Sequence, residues 1–458
     1  MPDLTDLYAW IDAHADEAVA DLQTLLRQPS ISAQGIGLDD CADLLCALMR
    51  RDGIAGVGRY PTNGGPDVVY AEVAGAGPRR LLCYGHYDVQ PPEPLERWES
   101  PPFAAEIRDG VIYARGACDN KSGVLAFVKA ARAFRETRGA PPVALKMIFE
   151  GEEEVGSPHL EEWSLRHRQM LACDASIGLD GGVDRTGLRP EIQLGIKAIL
   201  YVELRARGAT EDFWSGRAQL LGAQAPAWRI VHALGTIFDR SGRITIDGWY
   251  DDWQEPDTDD LEQLRREAEL FDRAELLRQL GLSSLPFLDT IEGDMALLRA
   301  IHFGASCNIA GLVAGYTGEG SKTIVPREAV AKIDFRCPPD LEPELQLAKL
   351  RAHLERHGFG DLEVIIHTAR KNPYKTPVAE AISQATIAAA NRVFGAQPIV
   401  QGVSTQGTIK IHVPHPAVMS GFGSPDNRLH APNENMPIAR YIQGIKYAAT
   451  IMAEFAAR

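Results

Sequence analysis

The chain contains the stretch Arg79-Arg80-Leu81-Leu82-Cys83-Tyr84-Gly85-His86-Tyr87-Asp88, in which an apolar run ends in a turn and two polar side chains. The run at 81–84 predicts a buried strand, and Gly85 lets the chain turn at its end. Strand ends are where α/β proteins place reactive side chains, because the sheet holds them rigidly at the rim of a cleft. In extended backbone His86 and Asp88 point to the same face. The carboxylate can therefore bind one imidazole nitrogen and leave the other for a metal ion.

Strands and helices alternate around this stretch. The runs that predict strands are 68–71, 81–84, 143–149 and 175–179, and those that predict helices are 6–27, 39–50, 121–137 and 160–171. Such alternation predicts an α/β fold class, with a doubly wound domain built on a mainly parallel sheet that carries helices on both faces.

The pattern changes after Gly195. A strand of alternating polarity is predicted at Ala198–Arg207, and a helix is predicted across Gly222–Phe238 despite Pro226. From residue 379 onward, long helical patterns return. We therefore predict one α/β domain built from residues 1–195 and 375–458, interrupted by a smaller α+β domain at residues 196–374.

Composition excludes several classes of protein. The 458 residues carry a formal net charge of −15, which disfavours nucleic acid and anionic membranes as partners. Acidic residues near the N-terminus exclude a secretory signal, and no run approaches the ~20 apolar residues of a membrane span. Seven cysteines without regular spacing indicate no disulfide framework, which predicts a cytoplasmic protein.

Further carboxylates and a second histidine lie beside the ends of predicted strands and helices or in a polar loop. Asp119 precedes the helix at 121–137, Glu150–Glu154 holds four glutamates after a strand, Asp180 ends another strand, and His430 lies in a polar loop. Taken singly, these residues could be a helix cap, an acidic surface loop and a surface histidine. Taken together, two histidines and three carboxylates would satisfy two divalent ions such as Zn²⁺. A spare carboxylate beside a ligand would supply a general base.

These segments resemble the co-catalytic metallopeptidase family of carnosinases, cytosolic non-specific dipeptidases, aminoacylases and succinyl-diaminopimelate desuccinylases. The resemblance runs in family order over nearly the whole chain, through 85–90, 115–121, 150–157, 308–320, 325–326, 334–336 and 423–434. It implies that residues 1–195 and 375–458 form a catalytic metal-binding domain. It also implies that residues 196–374 form a lid and dimerisation domain, and hence a homodimer.

The resemblance further implies a role for individual residues. His86 and Asp180 would hold one metal ion, Glu154 and His430 the other, and Asp119 would bridge the two ions. Glu153 would be the general base for a metal-bridged water, and Asp88 would orient His86. Arg336 would bind a substrate carboxylate, which suits a bidentate guanidinium pair. Asn308 and Thr408 would be further substrate contacts. The metal would be Zn²⁺, with Mn²⁺ or Co²⁺ as alternatives.

One departure concerns the lid. Dipeptidases of this family carry a histidine in a D-x-H-S-G segment that stabilises the oxyanion, and Trp214 stands at that position here. Indole donates one hydrogen bond but carries no charge. His232, on an apolar helical pattern typical of the core, is a weak substitute. We therefore expect a hydrolase of dipeptides, with N-acyl or N-carbamoyl amino acids as alternative substrates. A non-catalytic amino-acid-binding protein is the remaining hypothesis.

Overall fold

The structure is a computed structural model that describes residues 2–370, 373–404 and 415–458. The chain divides into two compact units, one made of Met1–Gly195 with Lys375–Arg458 and the other of Ile196–Tyr374. No helix in the described ranges is long and apolar enough to cross a membrane.

The helices are α1 (Thr5–Ala13), α2 (Ala15–Arg27), α3 (Leu38–Arg51), α4 (Lys121–Arg138), α5 (Leu160–Arg166), α6 (Pro226–Ile237), α7 (Thr258–Leu270), α8 (Arg273–Leu280), α9 (Ile291–Phe303), α10 (Pro343–Arg356), α11 (Ala381–Phe394) and α12 (Ile438–Ala456). The strands are β1 (Gly58–Tyr60), β2 (Val68–Val73), β3 (Arg80–His86), β4 (Glu106–Arg108), β5 (Val111–Tyr113), β6 (Ala144–Glu150), β7 (Ala175–Leu179), β8 (Glu191–Gln193), β9 (Gly195–Ile196), β10 (Ala198–Arg207), β11 (Phe213–Trp214), β12 (Ser306–Ala314), β13 (Ile324–Val325), β14 (Glu328–Cys337), β15 (Glu363–Arg370), β16 (Tyr374–Lys375), β17 (Ile399–Gln401), β18 (Ala417–Ser420) and β19 (Asn435–Pro437).

The first unit is built on a sheet with the strand order β1-β2-β6-β3-β7-β18-β8-β17. Its centre, β6-β3-β7-β18, is parallel throughout. Strands β1 and β2 run antiparallel at one edge, and β18 pairs antiparallel with β8. The mainly parallel sheet was predicted, whereas the antiparallel edge was not. The parallel centre brings the carboxyl ends of four strands to one edge of the sheet.

The central strand β3 is buried on both faces. Leu81 and Cys83 belong to a core shared with residues of α1, α2, α4, α11 and α12. Leu82 and Tyr84 alternate with them and are also buried, on the opposite face. A strand that is covered on both faces has apolar residues at consecutive positions rather than at alternate ones. For this reason the apolar run at 81–84 predicted the strand from the sequence.

The second unit carries an antiparallel sheet with the strand order β12-β14-β10-β15. Its buried face packs Leu200, Val202 and Leu204 of β10 against residues of α6 and α10. Trp249, from the loop after α6, lies against Phe335 of β14 with ring centroids 4.8 Å apart. This unit is the inserted α+β domain that the sequence predicts.

Some predicted element bounds were wrong. The helix expected over 6–27 is two helices, because His14 leaves helical geometry, with φ −111° and ψ 18°. Its ring stacks on Trp10, and its Nδ1 lies 2.8 Å from the Trp10 carbonyl oxygen. The helix expected across 222–238 begins at Pro226, since proline lacks an N–H and suits the first helical position.

A close approach between α4 and β7 fixes the geometry next to the strand ends. A Cβ atom on Gly123 would lie 2.1 Å from the carbonyl oxygen of Leu179, so only glycine fits there. Asn120 donates from Nδ2 to the same oxygen at 2.7 Å. The start of α4 is thereby held against the end of β7.

We predict that Gly123→Ala lowers the free energy of unfolding by about 1–3 kcal/mol, because a backbone oxygen cannot move aside. Gly235→Ala is the matched control, since Gly235 is exposed in α6 and a Cβ there would meet no atom within 4 Å. That substitution should raise stability by about 0.5–1 kcal/mol, because alanine is the better helix former. Urea denaturation followed by circular dichroism measures both, and changes of the same sign would contradict the prediction.

Candidate metal centre

The side chains that the sequence singled out lie at one edge of the parallel sheet. His86 ends β3, Asp180 directly follows β7, and Glu154 lies in a 3₁₀ turn shortly after β6. Asp119 precedes α4, and His430 lies in the loop that follows β18. The carboxyl ends of parallel strands meet at one edge, so residues far apart in the sequence converge there.

A first group contains His86, Asp119 and Asp180. The Nε2 atom of His86 lies 2.9 Å from Oδ1 of Asp119 and 3.5 Å from Oδ2 of Asp180. One ligand atom from each of the three residues falls within 4.8 Å of the others. His86 is fully buried.

A second group contains Asp119, Glu154 and His430. The Nε2 atom of His430 lies 2.9 Å from Oδ2 of Asp119 and 3.2 Å from Oε2 of Glu154. Asp119 thus presents one carboxylate oxygen to each histidine. It is not a helix cap, because the N-cap of α4 is Asn120, which makes no side-chain capping bond.

The charge balance of the two groups favours a bound cation. Although burial opposes it, the hydrogen bond from His430 and the adjacent imidazole of His86 lower the pKa of Asp119. Burial raises the pKa of Asp180 and of Glu154. Hydrogen bonds to Asp119 and Glu154 raise the pKa of His430 to about 10. The cluster therefore concentrates carboxylates that need either protons or a metal ion to offset their repulsion.

The orientation of His86 provides the test of fit. Its buried Nε2 has no hydrogen-bond partner among the described residues, although two carboxylate oxygens face it. An imidazole nitrogen and carboxylate oxygens that converge without hydrogen bonds are the donor set of a borderline divalent ion. The residues therefore fit a metal ion.

Asp88 supports His86 and the turn that carries the glutamates. Its Oδ1 lies 3.3 Å from Nδ1 of His86. The two carboxylate oxygens also accept from the backbone N–H groups of Glu153 and Glu154, each at 3.1 Å. A metal-ligating histidine commonly has such a partner on its other nitrogen. Glu153 is half-buried, one residue before Glu154.

Glu434, for which the sequence predicts no role, organises the loop before α4. Its carboxylate accepts from Nη1 of Arg115 at 2.7 Å and from the N–H groups of Gly116, Cys118 and Asp119 at 3.0, 2.9 and 3.1 Å. It is fully buried, and burial raises its pKa while Arg115 opposes that rise. Its place in the polar loop 423–434 was the only signal, and a polar loop does not distinguish a buried carboxylate from an exposed one.

The expected substrate residues lie in the second unit or outside the described residues. Asn308 pairs with Asp334 across β12 and β14, and its Nδ2 donates to Oδ2 of Asp334 at 2.8 Å. The Nε of Arg336 lies 3.8 Å from Oδ1 of Asp334. These three residues share one face of the sheet. Thr408 lies outside the described residues.

The segment in which the resemblance predicts a histidine carries Trp214 instead. Trp214 lies in β11 and is 64% exposed. A Cβ atom on Gly216 would lie 2.4 Å from its ring, so the indole folds back over the following turn. His232 is exposed on α6 and stacks on Trp228, and the expectation that it lies in the core was wrong.

Comparison with known proteins identifies the family. The sequence profile of peptidase family M20/M25/M40 matches residues 82–454. The chain belongs to this family. The M20 family is the one that the sequence resemblance predicted, and membership makes the chain a metallopeptidase-type hydrolase of amide bonds.

Individual relatives of this M20 chain cover nearly its whole length. It is 28% identical to the Beta-Ala-His dipeptidase of Rattus norvegicus, over 98% of this chain and 95% of the relative. It resembles the structure of the M20 family metallo-carboxypeptidase Sso-CP2 from Sulfolobus solfataricus, with a TM-score of 0.84 and 34% identity over 96% and 100% of the two chains. Human carnosine dipeptidase 1 matches with a TM-score of 0.71 and 26% identity, over 100% of both chains.

In this M20 protein we predict that Glu434→Gln weakens binding of divalent metal about 10–100-fold, as loss of a residue that positions a metal ligand does. The amide cannot accept from Arg115 and three N–H groups at once, so the loop carrying Asp119 loses its anchor. Zinc titration against a competing chelator measures the affinity.

The control for Glu434→Gln is Glu454→Gln. Glu454 is also buried and also accepts from an arginine, Arg458, at 2.6 Å. It lies in α12 rather than near the loop that carries Asp119, so its substitution should leave metal affinity unchanged. Wild-type affinity in a folded Glu434→Gln protein would contradict the positioning role.

Metal loading should release protons. Because the pKa of His430 is about 10, its imidazole is protonated near neutral pH and would have to lose that proton to bind metal. Apparent metal affinity should therefore rise with pH up to that pKa. Calorimetric titrations in two buffers of different ionisation enthalpy measure the protons released, and His430→Ala should release at least one fewer. An equal number in both proteins would contradict the prediction.

Proposed function

We propose that this protein is a dipeptidase that works with two divalent metal ions. His86 and Asp180 would hold one ion, Glu154 and His430 the other, and Asp119 both. The observation that carries this proposal is that Asp119 directs one carboxylate oxygen to each histidine, at 2.9 Å in both cases. The similarity to the Beta-Ala-His dipeptidase supports the same reaction class.

The proposed ions are Zn²⁺. Two imidazoles and three carboxylates form a mixed nitrogen and oxygen donor set that suits Zn²⁺, and Mn²⁺ and Co²⁺ are alternative occupants. When bound, the ions would supply Lewis acidity for the scissile carbonyl and lower the pKa of the attacking water.

Within this proposal, Glu153 is the general base. It lies beside the ligand Glu154, and its backbone N–H is held by Asp88 at 3.1 Å. Its carboxylate would take a proton from the nucleophilic water and pass it to the leaving amine. Asp88 acts through His86 and this turn, as a positioning residue rather than as a catalytic one.

The proposed substrate carries a free carboxylate. Arg336 and Asn308 lie side by side on the sheet of the second unit, where a guanidinium fork and an amide can together bind a carboxylate. Asp334 shares that face, accepts from Asn308 and lies 3.8 Å from the Nε of Arg336. We also assign a substrate contact to Thr408, as the family resemblance implies.

We predict that Glu153→Gln lowers kcat about 10²–10⁴-fold, the usual contribution of a general base. Metal content should stay at the wild-type level, because the ligands remain. Glu162→Gln is the control, since Glu162 is an exposed glutamate of α5 paired with Arg166. Steady-state kinetics and metal analysis on the same preparations check this, and near-normal turnover would remove Glu153 from the mechanism.

A second candidate function is that of a metallo-carboxypeptidase. The 34% identity and TM-score of 0.84 with the metallo-carboxypeptidase Sso-CP2 favour it. Trp214, which replaces a charged donor with an indole, favours a third class, the N-acyl or N-carbamoyl amino acid amidohydrolases. The three functions differ in what they tolerate at the substrate's amino end.

A substrate panel separates these functions. Free dipeptides, N-acetylated dipeptides, N-acetyl amino acids and N-carbamoyl amino acids are assayed with Zn²⁺, Mn²⁺ and Co²⁺ in turn. We expect turnover of free dipeptides, and loss of turnover when their C-terminal carboxylate is amidated. Cleavage only of N-acetylated dipeptides would establish the carboxypeptidase instead, and cleavage only of the amino acid derivatives would establish the amidohydrolase.

We also propose that two copies pair through the second unit and that the protein works in the cytoplasm. Strand β12 is an edge strand that exposes Ile309, Leu312 and Val313. An exposed apolar edge strand is a template for pairing with another chain. All seven cysteines are free, which supports a reducing compartment.

A further inference from the structure

A separate group of metal-ligand side chains lies within the second unit. Asp247, His353 and His357 each offer one ligand atom within 4.8 Å of the others. Oδ2 of Asp247 lies 3.3 Å from Nδ1 of His353 and 3.8 Å from Nε2 of His357. None of these residues belongs to the centre on the parallel sheet.

The backbone brings these residues together. His353 lies in the last turn of α10, and His357 follows directly after it, so the two are one helical turn apart on the same face. Their ring centroids are 4.1 Å apart. Asp247 lies between Ile246 and Trp249, which are 3% and 1% exposed, so buried side chains fix its position.

The spacing matches a tetrahedral ion. Zinc bonds to nitrogen and oxygen of about 2.0–2.1 Å place two ligand atoms about 3.3 Å apart across a tetrahedral angle. The contact between Asp247 and His353 already has that length. The contact between Asp247 and His357 is half an ångström longer, and both of these side chains are partly exposed, at 42% and 40%, which lets them adjust.

His353 presents a nitrogen acceptor at the proposed site. It is 1% exposed, and its Nδ1 accepts a long hydrogen bond from the backbone N–H of Asp247 at 3.3 Å, so that nitrogen carries a lone pair directed toward Asp247. A bound ion would take the place of this hydrogen bond.

We propose that Asp247, His353 and His357 form a further Zn²⁺ site that ties the end of α10 to the loop after α6. Two imidazoles and one carboxylate are three of the four ligands of a tetrahedral zinc ion, and the fourth position is open to water. The site lies at none of the proposed catalytic residues and joins two elements of the second unit, so its ion would stabilise that unit.

Arg356 competes with the ion. Its Nη1 contacts Oδ2 of Asp247, the oxygen shared by both histidines, and its side chain is 63% exposed. The guanidinium repels a cation and occupies the carboxylate, so the ion must displace it. Removal of the Arg356 side chain should therefore strengthen zinc binding, whereas removal of the His357 side chain should abolish it.

Zinc stoichiometry of the full chain tests the site. Proteins are equilibrated with Zn²⁺ under a competing chelator, and bound metal is counted by mass spectrometry. To separate the site from the first unit, Asp119→Asn and His430→Ala are combined as a background. We expect one ion to remain in that background and to be lost when His357→Ala is added. His357 is chosen over the buried His353 because its substitution leaves the core intact.

Two further variants complete the experiment. His232→Ala, which removes another exposed histidine of the same unit, should leave the count unchanged. Arg356→Ala should tighten zinc binding severalfold and increase the zinc-dependent rise in Tm, since the competing cation is gone. An unchanged zinc count with His357→Ala, or weaker zinc binding with Arg356→Ala, would show that the cluster is an ion-pair network only.

Discussion

Carboxylates crowded at the end of a parallel sheet are the constraint on which the first unit depends. Asp119, Asp180 and Glu154 converge within a few ångströms in a largely buried place, where their mutual repulsion is poorly screened. A cation offsets that repulsion better than protons do, so folding and metal binding are coupled in this region. The surrounding strands and loops hold these groups together.

Two buried carboxylates outside these two groups, those of Asp88 and Glu434, hold the loops in place. Asp88 accepts from two consecutive N–H groups and faces one nitrogen of His86. Glu434 accepts from three N–H groups and a guanidinium on the other side. Each therefore fixes a loop through charge-assisted hydrogen bonds, which are stronger than neutral ones. The glycine contact between α4 and β7 then fixes the distance between the loops.

The parts of the site that follow local patterns could be predicted from the sequence, and the parts that depend on distant contacts could not. His86 and Asp180 stand at the ends of apolar strands, so their positions follow from periodicity alone. Asp119 was ambiguous because a residue before a helix has the same local pattern whether it caps the helix or binds a metal. Glu434 could not be distinguished from the other residues of its polar loop, since its contact with Asp119 spans 315 residues. The break at His14 was missed because apolar spacing continues across it.

The division of the chain also shapes how the protein is made. The second unit is one continuous segment, whereas the first is completed only by residues 375–458. During synthesis the inserted unit is therefore whole while its host still lacks β17, β18 and α12. His430 and Glu434 emerge only after the whole inserted unit. The carboxylates at the end of the sheet accordingly wait for these partners while the inserted unit is made, and the candidate metal centre is closed by the segment that follows it.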